Sequence, residues 1–207
     1  MSTGSFDRVA PLYDRVSGLG PFRSLYEAVA AQVRCAPGER LLDVGCGNGR
    51  LLALLGRRQP ACRYWGVDPS PGMLEAARRR LPDGAVEWRV GEAESLPFEG
   101  ASFDWVVSTL SLHHWSRPEA GVAELGRLLR PGGRLVLADM AVESGWQRLA
   151  FRIGHWFEPA DELRWIAQAD LERWLAAAGL ESVASPVLPG LAGRFLFVRV
   201  AERRGEA

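Results

Sequence analysis

The stretch "LLDVGCGNGR", Leu41 to Arg50, runs from an apolar segment through an acid into three glycines, Gly45, Gly47 and Gly49. Glycine lowers stability there unless the backbone must turn sharply or a ligand must come close. A helical pattern follows at once, so the turn also offers the free N–H groups of a helix N-terminus. The first candidate ligand is a nicotinamide dinucleotide, whose fingerprint is G-x-G-x-x-G. Arg50 stands where the third glycine belongs, which counts against it. Asp68 closes the next apolar segment and can accept hydrogen bonds from ribose hydroxyls. Glu92 and Ala93 follow a third segment and put an acid and a small residue where an adenine edge would lie. A nucleoside along the strand tips needs both; a dinucleotide has no fixed need of them. The plainer alternatives are a turn that is merely tight and, for Asp68, a helix-start acid in "DPSPG".

These residues need a scaffold that brings strand ends together. "RLLDVG" (40–45), "RYWGVD" (63–68), "VEWRV" (86–90), "FDWVVS" (103–108) and "RLVLADM" (134–140) read as short strands. Their near-continuous apolar runs suit a parallel sheet covered on both faces. Helical patterns lie between them. Leu51, Leu52, Leu54 and Leu55 form one apolar face, and Met73, Leu74, Ala77 and Leu81 follow a Ser70–Pro71 start. Ser116 and Glu119 have capping-box spacing, and Asp170 can cap a helix that Gly179 stops. Before the first strand, Phe22, Leu25, Tyr26, Val29 and Val33 mark an amphipathic helix. Alternating strands and helices predict right-handed crossovers. "ESVASPVL" (181–188) and "RFLFVRVAE" (194–202) are too close for a crossover helix and should pair antiparallel. The expected fold is a single α/β domain with a doubly wound, Rossmann-like, seven-stranded, mostly parallel sheet and an antiparallel last strand.

The 207 residues suit one domain, and 25 basic against 25 acidic residues give no reason to invoke nucleic acid. Every basic residue is Arg, so no lysine can form a Schiff base. Cys35, Cys46 and Cys62 are odd in number and lack CxxC spacing, which predicts a reducing cytoplasm rather than a disulfide framework. "MSTGSFDRVAPLYD" does not read as a signal peptide, and no apolar run approaches the roughly 18 residues of a spanning helix.

The chain resembles the class I S-adenosylmethionine-dependent methyltransferases, and most of all the ubiquinone and menaquinone biosynthesis branch. The resemblance runs from "FDRVAPLYD" to the last strand and rests on "LLDVGCGNG", "GVDPSPGMLEAA", "GEAESLPFEGASFDWVVSTLSLHHW" and "LLRPGGRLVLAD" in that order. It implies S-adenosylmethionine as cofactor, with Gly45, Cys46, Gly47 and Asn48 against its methionine part. It further implies Asp68 on the ribose with Pro69 beside it, Met73, Glu92 and Ala93 about the adenine, and Thr109 and Leu110 facing the methyl end. Tyr13 resembles the family tyrosine that closes over the amino-acid end.

The implied reaction is direct displacement on a small-molecule acceptor, needing no metal. A base is required only if the acceptor must lose a proton. His113, His114 and His155 are the candidates, each of which could instead be structural. Residues 1–36 would form a helical cover. Residues 143–168, with Trp146, Phe151, Trp156, Phe157 and Trp165, would form a lid suited to an apolar or planar acceptor. A cofactor-binding, non-catalytic regulator and a nicotinamide-dependent dehydrogenase are the alternative functions. Monomer and homodimer are both compatible with the sequence.

Overall fold

A computed structural model describes residues 20–140, 166–190 and 192–205. Tyr13, His155 and most of the expected lid lie outside them. In chain order the elements are α1 (Gly20–Gln32), β1 (Arg40–Val44), α2 (Arg50–Arg58), β2 (Arg63–Asp68), α3 (Pro71–Arg80), β3 (Val86–Val90) and β4 (Phe103–Thr109). A 3-10 turn (Leu112–His114) leads to α4 (Pro118–Leu128), β5 (Leu129–Met140), α5 (Gln168–Ala177), β6 (Leu180–Ala184), the one-turn α6 (Ala192–Phe195) and β7 (Leu196–Arg203).

The strands form one seven-stranded sheet in the order β3-β2-β1-β4-β5-β7-β6. Pairing is parallel from β3 through β5, and β7 runs antiparallel to both β5 and β6. Strand order reverses between β1 and β4, which leaves a crevice at their carboxyl ends. The period of two along each strand feeds two cores. Leu41 packs with Leu25, Val29, Leu52, Leu55 and Leu74 on one face. Leu42 and Val44 pack with Leu112, Val122, Leu125, Leu171 and Leu175 on the other. Among the described residues no helix is long and apolar enough to cross a membrane.

Local signals held in part. Ser70 caps α3, its Oγ accepting from Met73 N at 3.1 Å with Pro71 behind it. Gly179 stops α5 with a φ of 71°. The Ser116–Glu119 capping box does not form. Pro118 is pre-organised for the first helical position, so α4 starts after Arg117, while Ser116 Oγ donates to Glu94 Oε1. Asp170 is not a cap either. Ala167 holds that place, and Asp170 sits in the first turn, pairing with Arg173 at 2.6 Å. β5 begins five residues earlier than expected, because Leu129 already pairs with Phe103 before an irregularity carries the strand past Gly132 and Gly133.

The cysteine expectation is overturned. Cys35 and Cys62 form a disulfide, with Cα atoms 5.9 Å apart and a sequence separation of 27. The parallel pairing of β1 and β2 opens at Arg40 and Arg63, so the segments just upstream are neighbours. Gly38 N donates to Ala61 O and Arg63 N to Glu39 O, both at 2.8 Å, lacing those segments together. Sequence spacing carried no trace of that adjacency.

Candidate functional site

The crevice is a cleft walled by the glycine turn, the ends of β2 and β4, the loop after β3, and Phe22 and Tyr26 of α1. Gly45, Gly47 and Gly49 all have positive φ, 70°, 51° and 72°, so every second residue of the turn is left-handed. Gly45 N and Cys46 N both donate to Val67 O, at 2.8 and 3.0 Å, which pins the turn to the end of β2. A side chain at Gly45 has no room, because a Cβ there would lie 2.1 Å from Ser111 Oγ. At Gly47 the same construction meets nothing within 4 Å, so this backbone faces open space.

Asp68 is 8% exposed and ties the turn together. Its Oδ2 accepts from Gly47 N at 2.8 Å and its Oδ1 from Ser70 N at 2.9 Å. A carboxylate oxygen can accept more than one hydrogen bond. Glu92 is exposed at the mouth and Ala93 is buried, with Ser95 N donating to Glu92 O to shape the loop. Met73 is buried beneath, Thr109 ends β4 and Leu110 follows it. Leu110 has a φ of 54°, rare for a residue with a branched side chain, and its N–H is held by Ala138 O at 2.9 Å.

Of the expected site residues, Gly45, Cys46, Gly47, Asn48, Asp68, Pro69, Met73, Glu92, Ala93, Thr109, Leu110, His113 and His114 all line this one cleft. The sequence reading missed Asp43, Ser111 and Asp139. Asp43 lies inside β1 and lines the cleft although only 2% exposed. Burial, helped by the nearby charge of Asp68, pushes its carboxyl up to about 8. Burial also holds the Cys46 thiol well above its usual range, with Asp43 and Asp68 adding to the effect, so it is no nucleophile. Asp139, at the end of β5, lies behind the cleft wall and bonds His113 Nδ1 at 2.6 Å. Its position at the same strand edge, in "LADM", was the signal that could have found it. Phe22 and Tyr26, read as a core face, also line the cleft.

The charged lining decides between the ligand classes. Asp43, Asp68, Glu92 and Glu94 line the cleft, and among the described residues no arginine does. Among the described residues a pyrophosphate would meet carboxylates and no arginine. A ligand with a cationic sulfonium, an ammonium and a ribose fits that donor set, and the open backbone at Gly47 leaves room for it. Residues 42–137 match the family described as "Methyltransferase domain". This is a class I S-adenosylmethionine-dependent methyltransferase domain.

The chain is 35% identical over 140 residues to malonyl-[acyl-carrier protein] O-methyltransferase of Hahella chejuensis, covering 68% of this chain and 50% of that protein. It is 37% identical over 140 residues to demethylmenaquinone methyltransferase of Clavibacter sepedonicus, covering 66% of this chain and 56% of that one. The chain thus spans about half the length of these curated relatives. A solved S-adenosylmethionine-dependent methyltransferase of Thermotoga maritima shares the fold of this methyltransferase domain, with a TM-score of 0.77, 24% identity, and coverage of 97% and 99% of the two chains. S-adenosylmethionine is the cofactor of the class.

Proposed function

We propose that the chain transfers the methyl group of S-adenosylmethionine to a small apolar or planar acceptor by direct displacement. The observation that carries this reading is a cleft lined by carboxylates and, among the described residues, by no arginine, around an open glycine turn. In this reading Gly45, Cys46, Gly47 and Asn48 hold the methionine part and Asp43 balances its positive charge. Asp68, with Pro69 beside it, takes the ribose hydroxyls, Met73, Glu92 and Ala93 border the adenine, and Thr109 and Leu110 face the methyl end. The cofactor supplies an already activated methyl group, so the protein's task is alignment in a dry pocket. Holding two reactants in line can lower the barrier by roughly 7–11 kcal/mol. The relative named demethylmenaquinone methyltransferase supports a small acceptor.

Calorimetry with S-adenosylmethionine, its demethylated product and NAD tests the ligand assignment. The first two should bind and NAD should not. Radiolabelled methyl transfer into the metabolites of a cell extract then tests the reaction. Tighter binding of NAD would refute the assignment.

A further inference from the structure

We infer that the Cys35–Cys62 bridge is a thiol-exchange site, at which a small thiol bearing carboxylates docks, opens the bridge and is left attached to Cys35. The site is separate from the methyl-transfer cleft and stands whether or not the proposed reaction does.

A second cavity lies beside the bridge and shares no lining residue with the cleft. Its walls include Ala30 and Val33, and Arg34, Cys35, Arg58 and Gln59 complete its polar side. Among the described residues no acid lines it. Arg58 pairs with Glu27, whereas Arg34 is exposed and has no ion-pair partner among the described residues. The cavity reaches Cys35, which is half-buried, and stops short of Cys62, which is only 7% exposed. A thiol that enters therefore meets Cys35 Sγ, and Cys62 is the leaving sulfur. Exchange needs a thiolate, and neighbouring arginines favour that form. A carboxylate on the same molecule finds a planar, two-pronged donor in Arg34. The ligand class follows from these two requirements: a thiol that also carries carboxylates, such as a small acidic peptide.

The two sulfurs stay neighbours when the bridge is open. Cys35 N donates to Gln59 Oε1, and Gln59 Nε2 donates to Val33 O at 2.8 Å. Cys62 N donates to Gln59 O at 3.1 Å. One glutamine thus holds the backbone of both cysteines without help from the sulfurs. Glu39 O lies 3.4 Å from Cys62 Sγ and accepts its S–H once the bridge is broken. A bridge that served only as a staple would need neither a basic cavity at its outer sulfur nor a clamp that outlasts it.

The exchange balances with the small thiol as its only co-reactant. The thiol gives its proton to solvent, and the sulfur's electron pair forms a bond to Cys35 Sγ. The Cys35–Cys62 bond breaks with its pair left on Cys62 Sγ, which takes a proton from solvent. Attack by Cys62 on the mixed disulfide restores the bridge and expels the small thiol. Attack by a second small thiol instead leaves two protein thiols and a small disulfide, so the bridge is reduced and two small thiols are oxidised.

The test uses the whole oxidised chain with glutathione, whose carboxylates are free, and with glutathione diethyl ester, whose carboxylates are masked. Both are supplied at the same thiolate concentration, and the reaction is quenched in acid and read by mass spectrometry. Peptide mapping should place the adduct on Cys35. Glutathione should react about tenfold faster than its ester, the low end of electrostatic steering. Salt should shrink that ratio. Arg34→Ala changes an exposed residue and leaves the bridge in place, and it should remove most of the preference. A Cys62→Ser variant treated with oxidised glutathione should trap the adduct on Cys35, because no second cysteine is there to expel it. Equal rates for glutathione and its ester, an unchanged ratio in Arg34→Ala, or an adduct on Cys62 or Cys46 would overturn the inference. So would a bridge that glutathione fails to open in the folded wild-type protein.

Discussion

Gly45 and Ser111 meet across the floor of the cleft so closely that a Cβ on Gly45 would lie 2.1 Å from Ser111 Oγ and 2.4 Å from its Cβ. The contact couples the β1 turn to the β4 loop, and Gly45 is left-handed at a φ of 70°. Gly45→Ala therefore faces both a clash and backbone strain, the strain alone costing of order 1–3 kcal/mol. It should lower the melting temperature and abolish cofactor binding. Adding Ser111→Gly should recover part of the stability, because it removes the clash and leaves the strain. A double-mutant cycle by thermal melting checks this, and strict additivity would refute the contact's role.

Asp68 is expected to matter twice, for the ribose and for the Gly47 and Ser70 N–H groups it holds. Hydrogen bonds to a charged group contribute about 1.5–3 kcal/mol each. Asp68→Ala should weaken S-adenosylmethionine binding by at least about tenfold. Asp68→Asn, which keeps one accepting oxygen, should fall between. Titration calorimetry on folded variants reads the order, and wild-type affinity in Asp68→Ala would take Asp68 out of the site.

The raised pKa of Asp43 gives a pH dependence of definite sign. A freely hydrated aspartate titrates at 3.8 and this one, in the fold, at about 8, so the folded, ligand-free state holds an extra proton between those values. Its contribution to stability is present in full below the lower value and is lost as pH rises through the higher one. Ligand-free protein should melt at lower temperature as pH climbs toward 8, and Asp43→Asn should flatten that slope. A cationic ligand favours the ionised form. Binding should release a proton and tighten with rising pH, which calorimetry in buffers of different ionisation enthalpy measures.

The Cys35–Cys62 bridge ties the segment after α1 to the start of β2. A disulfide closing a loop of this size contributes typically about 2–4 kcal/mol. Reductant should lower the melting temperature of the wild-type protein and leave a Cys35→Ser/Cys62→Ser variant unmoved. Because α1 carries Phe22 and Tyr26 into the cleft, reduction should also weaken cofactor binding. An unchanged melt in reductant, with free thiols verified by labelling, would show that the tether contributes nothing.

By itself the sequence determined the alternation of strands and helices, the antiparallel last strand and the glycine turn. It also placed Asp68, Glu92 and Ala93 at the ends of strands. These follow from short-range rules: apolar period, glycine at forced left-handed turns, and acids at strand ends. The helix starts at Pro118 and Gln168 were misjudged by a few residues at most, because neighbouring contacts choose between nearby capping positions. Tertiary structure alone decided what depends on distant segments meeting. Asp139 reached His113 because β4 and β5 pair in register and bring the two strand ends together. Cys35 found Cys62 because β1 and β2 begin side by side. Asp43 became a titratable group near neutrality only once the sheet had buried it beside Asp68. Desolvation and charge coupling are properties of the packed site, and no local pattern of residue types encodes them.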